Sequence, residues 1–240
     1  CDVKDPRIVK AVSDKALQRA ARGSSFQSTH RHGKYLFGKL SGNGWLVLHF
    51  GMTGEPAYIE LNDELPDYTR VLFRFTNGSA LAYISRRMLG RVSYTKDRDA
   101  FIAEQKLGID ALDDALTSDR FIELFASRRG NLKSALMNQE IIAGIGNEYS
   151  DEILFQLHLH PAATLDNLDQ KALKEDYGVL RRVLRTAARH GGDKRRFPRG
   201  YLLRTRDEQG DCPKCGATLK KEKISSRTSY YCPTCQTKRQ

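Results

Sequence analysis

Cys212-Pro213-Lys214-Cys215 and Cys232-Pro233-Thr234-Cys235 place two C-x-x-C pairs sixteen residues apart near the end of the chain. This is a zinc-ribbon spacing: each short loop aims two thiolates at one tetrahedral centre, and the chain between them is long enough to return as a β-hairpin. The competing reading is two disulfides in a secreted domain. Paired C-x-x-C arithmetic favours one structural zinc held by Cys212, Cys215, Cys232 and Cys235. Cys1 lies far from the quartet and has no partner in sequence.

The metal module is also the basic pole of the chain. The 240 residues carry 40 Lys and Arg against 29 Asp and Glu, a formal net charge of +11. Arg189 to Gln240 holds fourteen of the bases and five of the acids, nine of the eleven net charges. Such an excess predicts an anionic partner, most simply nucleic acid. No apolar run is long enough to span a bilayer, and the opening CDVKDPRIVK lacks the apolar core of a secretion signal. The expectation is a soluble monomer without a membrane partner, in the bacterial cytoplasm or a nucleus, where thiolates stay available for metal.

Upstream of the ribbon the hydrophobic period changes once. To about Tyr94 it is β-like, with runs at 34–40, 45–50, 70–75 and 80–84 separated by the turn signals Ser41-Gly42-Asn43-Gly44 and Thr76-Asn77-Gly78-Ser79. These predict an antiparallel sandwich or barrel. From Lys96 to about His190 the period is helical. Ser118 is placed to cap one helix and Asn131 another, and a third opens at Asn147 after Ala143-Gly144-Ile145-Gly146 and stops at Pro161. A fourth runs from about Leu168, capped by Asn167, to Gly191-Gly192. Glycines at 144 and 146 let backbone approach a phosphate, whereas Glu148 and Asp151 suit a plain helix start and repel one. Both readings of that turn stand on its residues alone.

Ile141-Ile142-Ala143-Gly144-Ile145-Gly146-Asn147-Glu148-Tyr149-Ser150-Asp151-Glu152, followed by His160-Pro161 and the four-cysteine ribbon, resembles the formamidopyrimidine-DNA glycosylase / endonuclease VIII family over nearly the whole chain. The resemblance implies an α+β multidomain fold. A β-sandwich at 1–105, without its opening helix, precedes a helix-two-turn-helix module at 106–192, then a basic linker and zinc finger at 193–240. It also implies a partner, damaged double-stranded DNA held between the domains, and an activity. The damaged base is flipped out, its glycosidic bond cut, and the strand nicked by β,δ-elimination.

Residue by residue, the resemblance implies these roles. Met52, on the glycine-flanked loop Gly51-Met52-Thr53-Gly54, fills the hole left by the flipped base; Arg87 and Leu89 wedge the opposite strand, with leucine where the family usually has an aromatic residue. Lys34 is a strand lysine contacting phosphate beside the lesion and assisting elimination. Arg129, Lys133, Asn147, Tyr149 and, more loosely, Tyr68 contact DNA, and Glu152 faces the active site. Arg227, at the hairpin tip, clamps phosphates flanking the lesion and, with Lys34, takes a catalytic part through δ-elimination.

Two departures shape the expectation. The family's nucleophile is an N-terminal proline followed by glutamate, whereas this chain starts Cys1-Asp2-Val3, and Pro6 and Glu64-Leu65-Pro66 are internal. An amide nitrogen has no free lone pair, and the Cys1 α-amine, though able in principle to form an imine, falls on a strand without an adjacent glutamate. The chain as given is therefore expected to lack the nucleophile. It is either part of a longer enzyme or a non-catalytic zinc-ribbon nucleic-acid-binding protein, such as a lesion sensor. The segment from Gly191 to Leu203, rich in Lys194, Arg195, Arg196 and Arg199, is short for a loop capping an oxidised purine.

Overall fold

The computed structural model describes residues 1–166 and 168–237, and the chain divides into two compact units, Cys1–Gln105 and Lys106–Gln240. The expected cap Asn167 lies outside the described residues.

The first unit holds strand β1 (Asp2–Val3), helix α1 (Asp14–Ala21), seven strands, β2 (Phe26–His32), β3 (Tyr35–Leu40), β4 (Trp45–His49), β5 (Gly54–Glu60), β6 (Thr69–Arg74), β7 (Ser79–Ser85) and β8 (Arg91–Thr95), and helix α2 (Arg98–Glu104). They form two four-stranded antiparallel sheets, ordered β1-β6-β7-β5 and β2-β3-β4-β8. Leu46, Leu48 and Val92 of one sheet and Val71, Phe73 and Tyr83 of the other share one buried cluster with Ile8 and Leu17, so the pair is a sandwich. The sequence pattern shows β3, β4, β6 and β7 because their buried residues cluster or alternate. It misses β2, whose side chains are mostly exposed and polar, and β5, where Pro56, Ala57, Tyr58 and Ile59 run together, so neither leaves an alternation to read.

The second unit begins with β9 (Ile109–Asp110), α3 (Ser118–Phe125) and α4 (Leu132–Met137), then β10 (Ile142–Ala143), α5 (Asn147–Gln156) and α6 (Gln170–Arg189), and ends in the hairpin β11 (Lys220–Ile224) and β12 (Arg227–Tyr231). Asn131 caps α4 as expected, accepting from Ser134 N at 2.8 Å. Two caps differ. Thr117, not Ser118, caps α3, because its hydroxyl reaches Arg120 N three residues on, and Asp169 caps α6, accepting from Ala172 N at 2.7 Å. Helix α5 ends at Gln156, before Pro161, where His158 takes a positive φ of 59°. α6 closes onto Gly191 and Gly192, both at positive φ. Residues 193–206 are no free linker. Phe197, Tyr201, Leu202 and Leu203 are buried there, and two short 3-10 turns pin the segment.

Helix α5 is the centre of this unit. Every side chain from Ser150 to Phe155 is buried, with α6 and α4 packed on it and β12 of the hairpin docked against it. Among the described residues no helix is long and apolar enough to cross a membrane.

Candidate nucleic-acid interface

At one end of the sandwich, register gathers the residues that the sequence scatters. Tyr35 pairs with His49 and His49 with Arg91, while Gly54 pairs with Ser85. The β2–β3 turn carrying Lys34, the β4–β5 turn carrying Met52 and the segment from Arg86 to Gly90 therefore lie at the same end. Lys34 sits in a tight turn beside Gly33 (φ 57°), rather than on a strand. Gly51 explains how the Met52 loop is held. It has φ 64°, and a Cβ there would stand 2.6 Å from the Leu89 carbonyl carbon and 2.8 Å from Gly90 N. The two loops touch backbone to backbone, which only glycine permits. Met52 and Leu89 are left 73% and 48% exposed, with Arg87 exposed between Ser85 and Leu89.

Neighbouring groups stiffen this end. Tyr83 Oη donates to the His49 carbonyl at 2.7 Å, and His49 Nδ1 accepts from Gly51 N at 3.1 Å. Burial, then the Arg91 and Lys34 charges, hold His49 down to about 4, so at neutral pH it is an uncharged acceptor. Tyr68, at positive φ, accepts from Ser85 N through its carbonyl, and its ring lies beneath the Arg86 and Arg70 guanidiniums at 5.0 and 5.7 Å. The Cys1 α-amine is elsewhere. Asp2 pairs with Leu72, which places Cys1 near Phe73, toward the end of β6 away from Tyr68.

In the second unit the Gly144 turn is fixed from inside. Gln139 Nε2 donates to the Met137 and Ile145 carbonyls, and its Oε1 accepts from Gly144 N. Lys133, 1% exposed, bonds Asn147 Oδ1 at 2.8 Å, Asp151 Oδ1 at 2.6 Å and Ser229 Oγ. Asn147 Nδ2 passes the link to the Thr228 carbonyl at 2.8 Å, and Asp151 Oδ2 accepts from Arg206 at 2.6 Å and from Tyr230 N at 3.2 Å. Burial pulls the Lys133 ammonium down and Asp151 opposes it. One buried carboxylate thus holds two cations and ties α4, α5 and the hairpin together.

This arrangement departs from two of the expectations. Lys133 has its ammonium turned inward onto three partners, Asn147, Asp151 and Ser229, and is not at the surface. Glu152 is fully buried, its carboxylate accepting from Leu203 N at 2.8 Å and Gln156 Nε2 at 2.7 Å, with burial pushing it up. It anchors the 193–206 segment to α5. The acidic start of α5 is neutralised as well, since Glu148 meets Lys194 Nζ at 2.7 Å and Arg206 at 3.8 Å. Arg227 and Arg129 remain exposed, Arg227 beside the hairpin turn made by Ser225 and Ser226 at positive φ, and Tyr149 is half-buried with its hydroxyl against Gly192. On sequence alone Asp151 reads only as a helix-start acid, and Arg206 is not marked. The signal for Asp151 is its place, with Glu152, inside the run Ser150 to Phe155, whose other members are bound for the interior.

The four cysteine sulfurs lie within 4.8 Å of one another, with Cys212 and Cys235 Sγ 3.8 Å apart and Cys215 and Cys232 Sγ 3.5 Å apart. A zinc–sulfur bond of about 2.3 Å gives a tetrahedral edge of about 3.8 Å, so the quartet fits one structural zinc. Burial pushes the Cys212 thiol up, a cost that a dication at the centre offsets. The finger is seated on α5 through Phe155, which joins Leu202, Leu219, Cys212 and Cys232 in a small core. Its far end bonds back to His158 and His160 through Thr237.

Comparison with known proteins meets these features one by one. Residues 1–92 match the formamidopyrimidine-DNA glycosylase N-terminal domain, 107–198 its H2TH domain, and 212–238 a zinc finger found in FPG and IleRS. The chain belongs to the formamidopyrimidine-DNA glycosylase family. Family members named formamidopyrimidine-DNA glycosylase include one from Acaryochloris marina, 30% identical over 98% of this chain and 90% of that protein. Another, from Protochlamydia amoebophila, is 28% identical over 97% and 89%. In fold, this chain resembles the Lactococcus lactis protein solved with Fapy-dG-containing DNA (TM-score 0.88, 23% identity, 99% and 91% covered). It also resembles the same enzyme bound non-covalently to DNA with an AP site (TM-score 0.86, 22% identity, 99% and 90% covered).

Proposed function

We propose that this chain is a DNA-repair glycosylase of the base-excision type, binding duplex DNA at a damaged nucleotide, extruding an oxidised base and supporting strand nicking by β,δ-elimination. The observation that carries this reading is the pairing of Met52 and Leu89. Two large apolar side chains are held out in solvent on loops locked together at Gly51. Exposing them forfeits burial worth about 1.5–3 kcal/mol each, and a base stack offers a place to recover it. In this reading Met52 enters the space of the extruded base while Leu89 and Arg87 engage the opposite strand. Lys34, Arg129 and Arg227 bind phosphates, with Tyr68, Tyr149 and the backbone at Asn147 completing the contact. Zinc, when bound, supplies rigidity to the hairpin and no chemistry. Lys133 and Asp151 hold Asn147 and β12 in place.

Duplex containing a tetrahydrofuran abasic analogue is expected to bind more tightly than the same duplex intact, and equal affinity would remove the lesion-recognition reading. The nucleophile is tested separately. Residues 1–240 offer no terminal proline amine, and Cys1 lies near Phe73, away from Met52. Borohydride trapping on abasic DNA is thus expected only when a Pro-Glu start is supplied ahead of Cys1. Persistent absence of a trapped adduct in the extended protein, with abasic preference intact, would select a lesion sensor instead.

A further inference from the structure

Helix α6 carries a feature that the proposed lesion interface leaves unused. Its buried face, including Leu173, Val179, Leu180, Val183 and Leu184, packs on α3 and α5. Along the opposite face Lys174, Gly178, Arg182, Arg185 and Arg189 recur at helical spacing, all exposed. Gly178 stands in mid-helix, where a Cβ would meet nothing within 4 Å. Neither packing nor a positive φ requires glycine there, although glycine weakens a helix interior relative to alanine. Around it opens a groove of about 450 Å³, lined by Gly178, Arg182, Arg185, Thr186 and Arg189 over the buried Arg181.

The charges in this groove are unevenly satisfied. Arg181 is committed to the Asp113 carbonyl at 2.6 Å and to Asp114 at 2.9 Å, yet its buried Nε has no partner among the described residues. Asp114, 94% exposed, also lies 3.7 Å from Arg185, while Arg182 and Arg189 meet no acid among the described residues. Arg182 to Arg189 spans about 10 Å of helix, and one strand of a duplex presents a phosphate every ~3.4 Å of its axis. Three arginines beside a glycine thus match a short run of phosphates whose backbone must come close. The finger hairpin docks on α5, whereas the stripe lies on exposed positions of α6 opposite the face packed on α3 and α5, so the groove and the Arg227 tip are on different elements.

We infer that the α6 groove is a second, sequence-independent DNA site, binding the phosphodiester backbone of another duplex segment while the lesion interface is occupied. It uses Arg182, Arg185 and Arg189, with Gly178 giving the backbone room. Such a site lets the protein pass between DNA segments during search.

The test uses residues 1–240 loaded with zinc and duplexes of about one helical turn, too short to reach both faces. Native mass spectrometry at low salt, with excess abasic-analogue duplex and a mass-tagged intact duplex, is expected to show one protein carrying both. R182Q/R185Q/R189Q is expected to lose the second duplex while keeping its abasic affinity, and the salt slope of the second event should account for about three phosphate contacts. Gly178→Gln separates binding from folding: it should raise the melting temperature and weaken the second event together. A wild-type protein that accepts one duplex only, or a triple variant that still accepts two, overturns the proposal. So does a groove that takes a poly-glutamate peptide in preference to the intact duplex, which would make its partner an acidic protein. Failure of the lesion reading shows instead as equal first-event affinity for abasic and intact duplex.

Discussion

The loop end of the sandwich and the turn–finger junction of the helical unit solve opposite problems. At the sandwich end the backbone is rigid and the side chains are free. Gly51 is jammed against Leu89, Tyr83 ties down the His49 carbonyl, and Met52, Arg87 and Leu89 project into solvent. At the junction the charges are buried and spent on one another, Lys133 and Arg206 on Asp151, so that the backbone of Asn147 and β12 is placed and Arg227 is left exposed. Charge in the sequence is therefore a poor guide to which residues can reach a ligand. A buried lysine can matter more for where an asparagine points than for any phosphate.

The contrast can be broken most sharply at the metal. Structural zinc is worth about 10–16 kcal/mol in isolated fingers, so chelation is expected to abolish DNA binding and melt the hairpin while the sandwich keeps its β-type circular dichroism. Loss of both units together would refute their independence. Asp151→Asn comes next. It strands Lys133 and Arg206 around a neutral amide and should cost about 3–5 kcal/mol by urea denaturation. Met52→Ala should change stability by less than about 0.5 kcal/mol yet weaken abasic-duplex binding.

The backbone clamp at the sandwich end is tested by Gly51→Ala, where the new Cβ collides with Leu89 at positive φ. The expected loss is about 1–3 kcal/mol, together with weaker abasic-duplex binding as Met52 is displaced. The smallest effect is on pH. His49 is held to about 4 in the fold against 6.5 unfolded, so the unfolded chain binds the extra proton first. The stability that its neutral form contributes is present above pH 6.5 and lost as pH falls toward 4. Partial exposure limits the term to about 1–2 kcal/mol. His49→Gln should flatten that window in thermal melts, and an unchanged acid slope would remove His49 from the clamp.

Much of the molecule was legible without coordinates, for identifiable reasons. Paired C-x-x-C loops report a metal site because four thiolates converging on one centre leave few alternatives, and Gly144 marks a turn because its positive φ of 116° favours glycine. Strands with one buried face announced themselves by alternation. The polar edge of β2 did not, and neither did the caps at Thr117 and Asp169, where neighbouring residues were equally able to cap. The resemblance carried Lys133 and Glu152 to the interface by position, but position along a helix does not say which way a charge is turned.

The sequence by itself determined the period changes, the basic pole, the zinc ligands and the family, because each is a matter of residue type and spacing. Only the tertiary structure decided that Met52 and Leu89 sit on touching loops, that Lys133 and Glu152 serve the interior, and that Cys1 lies near Phe73, away from Tyr68 and the Met52 loop. Those facts depend on strand register and on which buried charge finds which partner, and neither is written in local spacing.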